Sequence, residues 1–210
     1  MLNYKDVNPY QRPSLGTTIL GYKFKNGIIM AADTQTAHGS LISDESFNKI
    51  KQLTDTIFMA VAGDASHADA SVDYIRYYLN MYIAEVKEQP TVEAAAKTVR
   101  EFFYNNKSFL NVTAIVGGYD KVNGFGMYKI FQSGALINEK LSMGGSGCTF
   151  ISALIDEKYK DDMELEEAKA FGVGCVKAAM RRDVQSGGCV NLVIVTEEKV
   201  EREFIKANAF

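Results

Sequence analysis

Histidine is scarce in this 210-residue chain. It occurs only as His38 and His67, neither with a cysteine or histidine at ligand spacing, which argues against a metal centre. Cysteine is sparse too. Cys148, Cys175 and Cys189 are odd in number, far apart and set among apolar or small residues, a pattern of buried free thiols in a reducing compartment rather than a disulfide framework. No apolar run approaches the roughly 18 residues of a membrane span, and "MLNYKDVNPYQRP" lacks a positive region followed by an apolar stretch. A basic excess is also missing. With 23 Lys and Arg scattered among 26 Asp and Glu, the net charge of -3 leaves no stripe for nucleic acid. What is present is 47% hydrophobic residues over a length that suits one substantial core. The expectation is a soluble intracellular protein of one domain.

Residues 1 to 16 differ from the rest, being polar, carrying two of the three prolines and lacking any period, and read as an extended leader. Short strands are expected over 17 to 24, 27 to 33, a polar pair near 41 to 52, and 56 to 62. Helical spacing then begins at Ala68, Val72, Ile75 and Leu79, and "TVEAAAKTVREFFYNN" follows as a second helix capped by Thr91. His67 reads as an early helix residue rather than a ligand or base. Strands resume with "VTAIVGGYD", "GFGMYKIF" and "ALINEKL". Helices over about 147 to 160 and 163 to 183 come next, and "CVNLVIVTEE" and "VEREFI" close the chain. Strands, two helices, strands, two helices, strands is not the alternation of a doubly wound sheet. It implies an α+β, four-layer αββα sandwich, two antiparallel sheets between helix pairs.

The chemistry concentrates in "SLGTTILGYKFKNGIIMAADTQTAHG", where an apolar strand ends on Asp33 and the strand before it begins at Thr17. A three-residue loop Lys25-Asn26-Gly27, with Gly27 left-handed, would pair Thr17 with Gln35 and leave Asp33 on the same face, roughly 7 Å away on the diagonal. A two-residue loop would send Asp33 to the other face, so the geometry is conditional. A gap of that size suits a bridging lysine, and Lys49 and Lys51 on "FNKIKQL" share the required parity. A threonine hydroxyl needs a base. Its own N-terminal amine can serve, with an unperturbed pKa of about 7.7 to 8.0. Thr17 gains a free amine only if the bond after Gly16 is cut, so leader plus Gly16-Thr17 reads as a precursor whose activation creates its own base.

With "MAVAGDASHAD", "MGGSGCTF" and "RRDVQSGG" in order behind these segments, the chain resembles the catalytic β subunits of the 20S proteasome from Gly16 to the last strand. The resemblance implies the N-terminal-nucleophile hydrolase fold and a threonine endopeptidase, made as a zymogen, that acts on unfolded polypeptides without a cofactor. It also implies partners, namely other α and β subunits in stacked seven-membered rings of cytoplasm and nucleus, with no nucleic acid or membrane. Thr17 matches the nucleophile, and Asp33 and Lys49 match the pair beside it, the ammonium lowering the hydroxyl pKa. Gly63 matches the oxyanion-hole N–H, ahead of a helix whose N-terminal dipole would assist. Ser146, Asp183 and Ser186 match the residues that hydrogen-bond around the amine and water, and Gly187 and Gly188 would allow close backbone approach. Thr36, Ala37, Phe47, Val61, Ala65 and Asp69 form the implied substrate-binding set, with an extended substrate pairing beside Ala37, Gly63 and Ala65.

Gln35 and Ala37 stand where active members usually carry Arg and Thr, and neither change removes the nucleophile, lysine or carboxylate. Overall similarity is nearest the caspase-like type, yet Val61 replaces that type's pocket arginine. An apolar wall of Val61, Ala65 and Phe47 favours hydrophobic side chains, while Asp69 at the base would attract a basic one. The expected preference for acidic side chains is therefore weak. The alternatives are a non-catalytic structural β subunit and another N-terminal-nucleophile hydrolase.

Overall fold

A computed structural model of the protein describes residues 16–38 and 41–206. The expected leader lies outside the described residues apart from Gly16.

Alternating apolar positions in the first third give β1 (Ile19–Phe24), β2 (Gly27–Asp33), β3 (Thr36–His38), β4 (Leu41–Asp44), β5 (Ile50–Gln52) and β6 (Ile57–Gly63). The helical spacing that follows becomes α1 (Ala65–Val86) and α2 (Val92–Asn106). Each of these two helices has a side-chain cap, that of α2 being the expected Thr91. The Asp64 carboxylate accepts from the N–H groups of Ser66 and His67, and the Thr91 hydroxyl from that of Ala94. His67 sits in the first turn of α1, its ring edge-on to Phe109. Then come β7 (Val112–Asp120), β8 (Gly124–Ile130), β9 (Leu136–Asn138), β10 (Leu141–Gly144), α3 (Cys148–Lys158), α4 (Leu165–Met180), β11 (Cys189–Thr196) and β12 (Val200–Lys206).

Two five-stranded sheets result, ordered β10-β1-β2-β11-β12 and β5-β6-β7-β8-β9, with β3 and β4 as a separate ribbon. Three apolar cores separate the layers. Ile19, Ile28, Met30 and Val193 of one sheet meet Ile50, Phe58, Ala60 and Ile115 of the other. Outside them, α1 and α2 close over Met59, Val61, Ala114 and Val116, while α3 and α4 close over Leu20, Tyr22, Ile29, Ala31 and Leu192. The strands of the sheet centres are buried on both faces, which is why β2 reads as a continuous apolar run rather than an alternating one. This is the αββα sandwich of the N-terminal-nucleophile hydrolases.

Three details differ from the sequence reading. The β1-β2 hairpin turns on two residues, Lys25 and Asn26, pairing Phe24 with Gly27. Gly27 is not left-handed; a side chain there would meet the Val195 carbonyl at 2.3 Å, so crowding is what requires glycine. Asp33 accordingly lies across from Thr18, not diagonal to a Thr17–Gln35 pair, and its N–H donates to Thr18 O at 3.2 Å. Second, "ALINEKL" is two strands in different sheets, β9 beside β8 and β10 beside β1, because the chain changes layers at Glu139 and Lys140. Third, β4 and β5 do not pair. β4 joins β3 and β5 joins β6.

Candidate active site

Gly16, Thr17 and Thr18 lead into β1 and are buried, Thr17 being 3% exposed. The Thr17 hydroxyl donates to the Gly16 carbonyl oxygen at 2.6 Å. The same oxygen accepts from Lys49 Nζ at 3.2 Å, so hydroxyl and amine converge on the carbonyl of the Gly16-Thr17 bond. Lys49 is positioned immediately before β5 by its own carbonyl, which accepts from Val61 N–H at 2.9 Å. Next to it Asn48 Oδ1 takes bonds from Ile50 N–H at 3.0 Å and from the Asn191 amide at 2.9 Å, tying this corner to β11 of the other sheet.

Asp33 ends β2 wholly buried. Its Oδ1 accepts from Lys49 Nζ at 2.7 Å and Thr18 N–H at 2.8 Å, and its Oδ2 from Gly187 N–H at 3.0 Å and Gln35 N–H at 3.2 Å. Four N–H donors are a set that an ionised carboxylate satisfies. Burial nevertheless pushes the Asp33 carboxyl above the ordinary carboxylate value, with the Lys49 charge opposing it. Burial likewise pulls Lys49 below the ordinary lysine value, with Asp33 opposing. Lys49 is thus a paired ammonium that gives up its proton more readily than a surface lysine.

A second cluster holds the main chain of Thr17. Its N–H donates to Ser146 Oγ at 3.2 Å, and the Ser146 hydroxyl in turn donates to Asp183 Oδ2 at 2.6 Å. Ser186 also donates to Asp183 Oδ2, at 2.7 Å, so in the 2.8 Å bond between Thr18 Oγ1 and Ser186 Oγ the threonine is the donor. Gly147 N–H binds Thr17 O at 3.1 Å. Gly187 and Gly188 permit the close approach expected of them, since a side chain would come within 2.1 Å of Gln35 and 2.4 Å of Thr34 respectively.

Gly16, Thr17, Thr36, Ala37, Phe47, Lys49, Val61, Gly63, Ala65 and Ala68 line one small cavity beside the hydroxyl. Gly63 ends β6 with φ 126°, and a side chain there would meet Asn111 O at 2.1 Å. Its expected help from the α1 dipole is reduced, because the Asp64 carboxylate already occupies the first-turn N–H groups. Asp69 is not part of the lining. It pairs instead with Lys51 at 2.5 Å, and so does not serve as an open anionic base of the pocket. Thr18, Gly147, Asn48 and Asn191 were not evident from sequence; only the Thr-Thr doublet hinted at the first. Among the described residues no group of three or more His, Cys, Asp and Glu side chains is placed to hold a metal ion.

An N-terminal-nucleophile hydrolase architecture with a buried threonine, lysine and aspartate at its centre is therefore in place. Comparison with known proteins agrees with that class. A family model described as "Proteasome subunit" matches residues 14–195. The chain is 36% identical over 199 residues to "Proteasome subunit beta type-6" of Arabidopsis thaliana, covering 95% of this chain and 85% of that protein. It is 37% identical over 201 residues to "Probable proteasome subunit beta type-1" of Schizosaccharomyces pombe, covering 95% and 89%. With human "Proteasome subunit beta type-9" it shares 34% over 193 residues, 92% of this chain and 88% of the other. The chain belongs to the proteasome β-type subunit family, whose members build the 20S core.

Proposed function

We propose that this β subunit is a threonine endopeptidase that first cuts its own chain between Gly16 and Thr17, leaving residues 17–210 as the mature hydrolase domain. The observation that carries the reading is the meeting of Thr17 Oγ1 and Lys49 Nζ on the Gly16 carbonyl oxygen, at 2.6 and 3.2 Å. Attack of Oγ1 on the carbonyl carbon moves the Gly16 acyl group from nitrogen to oxygen. Water then hydrolyses the ester, releasing the leader carboxylate and a free Thr17 α-amine.

That amine stays beside Ser146 Oγ, the group its N–H already meets at 3.2 Å, while the Ser146–Asp183–Ser186 chain holds the residue in place. With an unperturbed pKa of about 7.7 to 8.0, it suits a base that takes the hydroxyl proton at neutral pH. In the peptidase cycle Oγ1 attacks a substrate carbonyl seated at the cavity and Gly63 N–H steadies the oxyanion. An acyl ester forms, the amine fragment leaves with the transferred proton, and water returns the threonine. Lys49, fixed by Asp33, supplies positive charge that favours the alkoxide. The substrates are unfolded polypeptides admitted to stacked seven-membered rings of α and β subunits in cytoplasm and nucleus.

Intact mass of the subunit from assembled particles, with and without a threonine-reactive inhibitor, tests this. Loss of residues 1–16 and an adduct on Thr17 are expected; an intact leader with no adduct would make the subunit structural.

A further inference from the structure

Behind the cavity wall stand two charges that the catalytic cluster does not use. Lys51 follows Lys49 by two residues on β5, and its ammonium lies 4.4 Å from the centroid of the Phe47 ring. The same ammonium is 2.5 Å from Asp69 Oδ1. Asp69 is one helical turn beyond Ala65 and directly follows Ala68, and Phe47, Ala65 and Ala68 all line the cavity. Lys51 is 16% exposed and Asp69 49%, so the pair is partly withdrawn from water at one side of the pocket.

We propose that the Lys51–Asp69 ion pair is a charge-compensated backing to the pocket that restricts this subunit to uncharged, apolar side chains at the residue preceding the cut bond. The inference rests on the peptidase reading above. Apart from Lys49, whose charge is already held by Asp33, the lining side chains Ala37, Phe47, Val61, Ala65 and Ala68 carry no formal charge. A carboxylate entering it would have to take Lys51 away from Asp69, and an ammonium would have to take Asp69 away from Lys51. Either exchange strips a charged side chain of water and breaks one ion pair to make another, so it yields little, whereas an apolar side chain loses only water. Phe47 reinforces the arrangement, because its ring face attracts the ammonium that Asp69 neutralises.

The reciprocal consequence is specific. Asp69→Asn frees Lys51 and should admit acidic side chains; Lys51→Met frees Asp69 and should admit basic ones. The assay uses assembled particles and three fluorogenic peptides differing only in an acidic, basic or apolar residue before the cut. Only the hydrolysis that Thr17→Ala abolishes is counted. The native subunit should favour the apolar peptide in kcat/KM. Asp69→Asn should raise the acidic-to-apolar ratio about tenfold, Lys51→Met the basic-to-apolar ratio about tenfold, and the double variant neither. A native preference for the acidic peptide, or ratios that move less than about twofold in both single variants while Thr17 is still labelled by a threonine-reactive inhibitor, would overturn the proposal. No hydrolysis of any peptide together with no Thr17 label overturns the peptidase reading itself, and the pocket's role with it.

Discussion

Lys49 Nζ lies 2.7 Å from Asp33 Oδ1, with the two side chains 2% and 0% exposed. The pair joins the end of a central strand of one sheet to the edge strand of the other, since Asp33 ends β2 and Lys49 precedes β5. Both ions are buried. Asp33 is satisfied by the N–H groups of Thr18, Gln35 and Gly187, and Lys49 by Gly16 O, so the same bonds that stabilise the pair deliver the ammonium to the Gly16-Thr17 peptide.

Thr17→Ala removes the hydroxyl that meets Gly16 O. The variant should retain residues 1–16 and lose this subunit's peptide hydrolysis by about 10⁴-fold or more, as expected for a missing nucleophile. Mass spectrometry of the assembled subunit reads the first effect, and processing at the native rate would contradict it.

Lys49→Met leaves burial at Asp33 opposed only by its N–H bonds from the main chain, so its folded-state pKa rises further above its unfolded value. In that window the folded state holds a proton that the unfolded chain releases. The stabilising contribution is full below the unfolded pKa and is lost as pH rises through the folded one. The variant should therefore be destabilised by about 3 kcal/mol near neutral pH, and less at about pH 5. Urea unfolding at both values checks this; an equal loss at the two would refute it.

Ser146→Ala takes away the acceptor of the Thr17 N–H and one of the two hydroxyls on Asp183. The fold should persist, because Ser146 lies in the loop between β10 and α3. Turnover by the processed subunit should fall about 100-fold, the scale of a misplaced proton-transfer group. Its pH profile separates the roles. A shifted pKa in kcat/KM is expected if the Thr17 amine is the base, and an unchanged profile would assign Ser146 to packing alone.

Cys175, buried between α4 and the first sheet, has its thiol pushed up to about 12 by burial. A thiol-reactive reagent near neutral pH should modify the half-buried Cys148 and Cys189 in the folded protein and reach Cys175 only on unfolding. Peptide mapping after timed labelling decides it; early labelling of Cys175 would count against the core described.

Periodicity and capping are local properties, and they were legible. The switch from period two to helical spacing by Ala68, the cap Thr91, and the paired helices outside two sheets follow from side chains within a few residues of one another, whereas the Asp64 cap came only with the structure. The hairpin at Lys25-Asn26-Gly27 shows the limit. Whether two or three residues form its loop depends on crowding against Val195 from a strand more than 160 positions away, and that one-residue difference pairs Asp33 with Thr18.

From the residues alone, then, the chain determined a four-layer sandwich and a threonine, a carboxylate and two lysines of equal parity as the groups for its chemistry. The tertiary structure chose between the lysines. Lys49, opposite Val61 and level with the end of β2, reaches Gly16 and Asp33, while Lys51, two residues on, reaches Asp69 on α1 and the face of Phe47. Their spacing on the strand is the same in either reading. Only the packing of the second sheet and α1 against the first puts one ammonium on the peptide bond and the other behind the pocket.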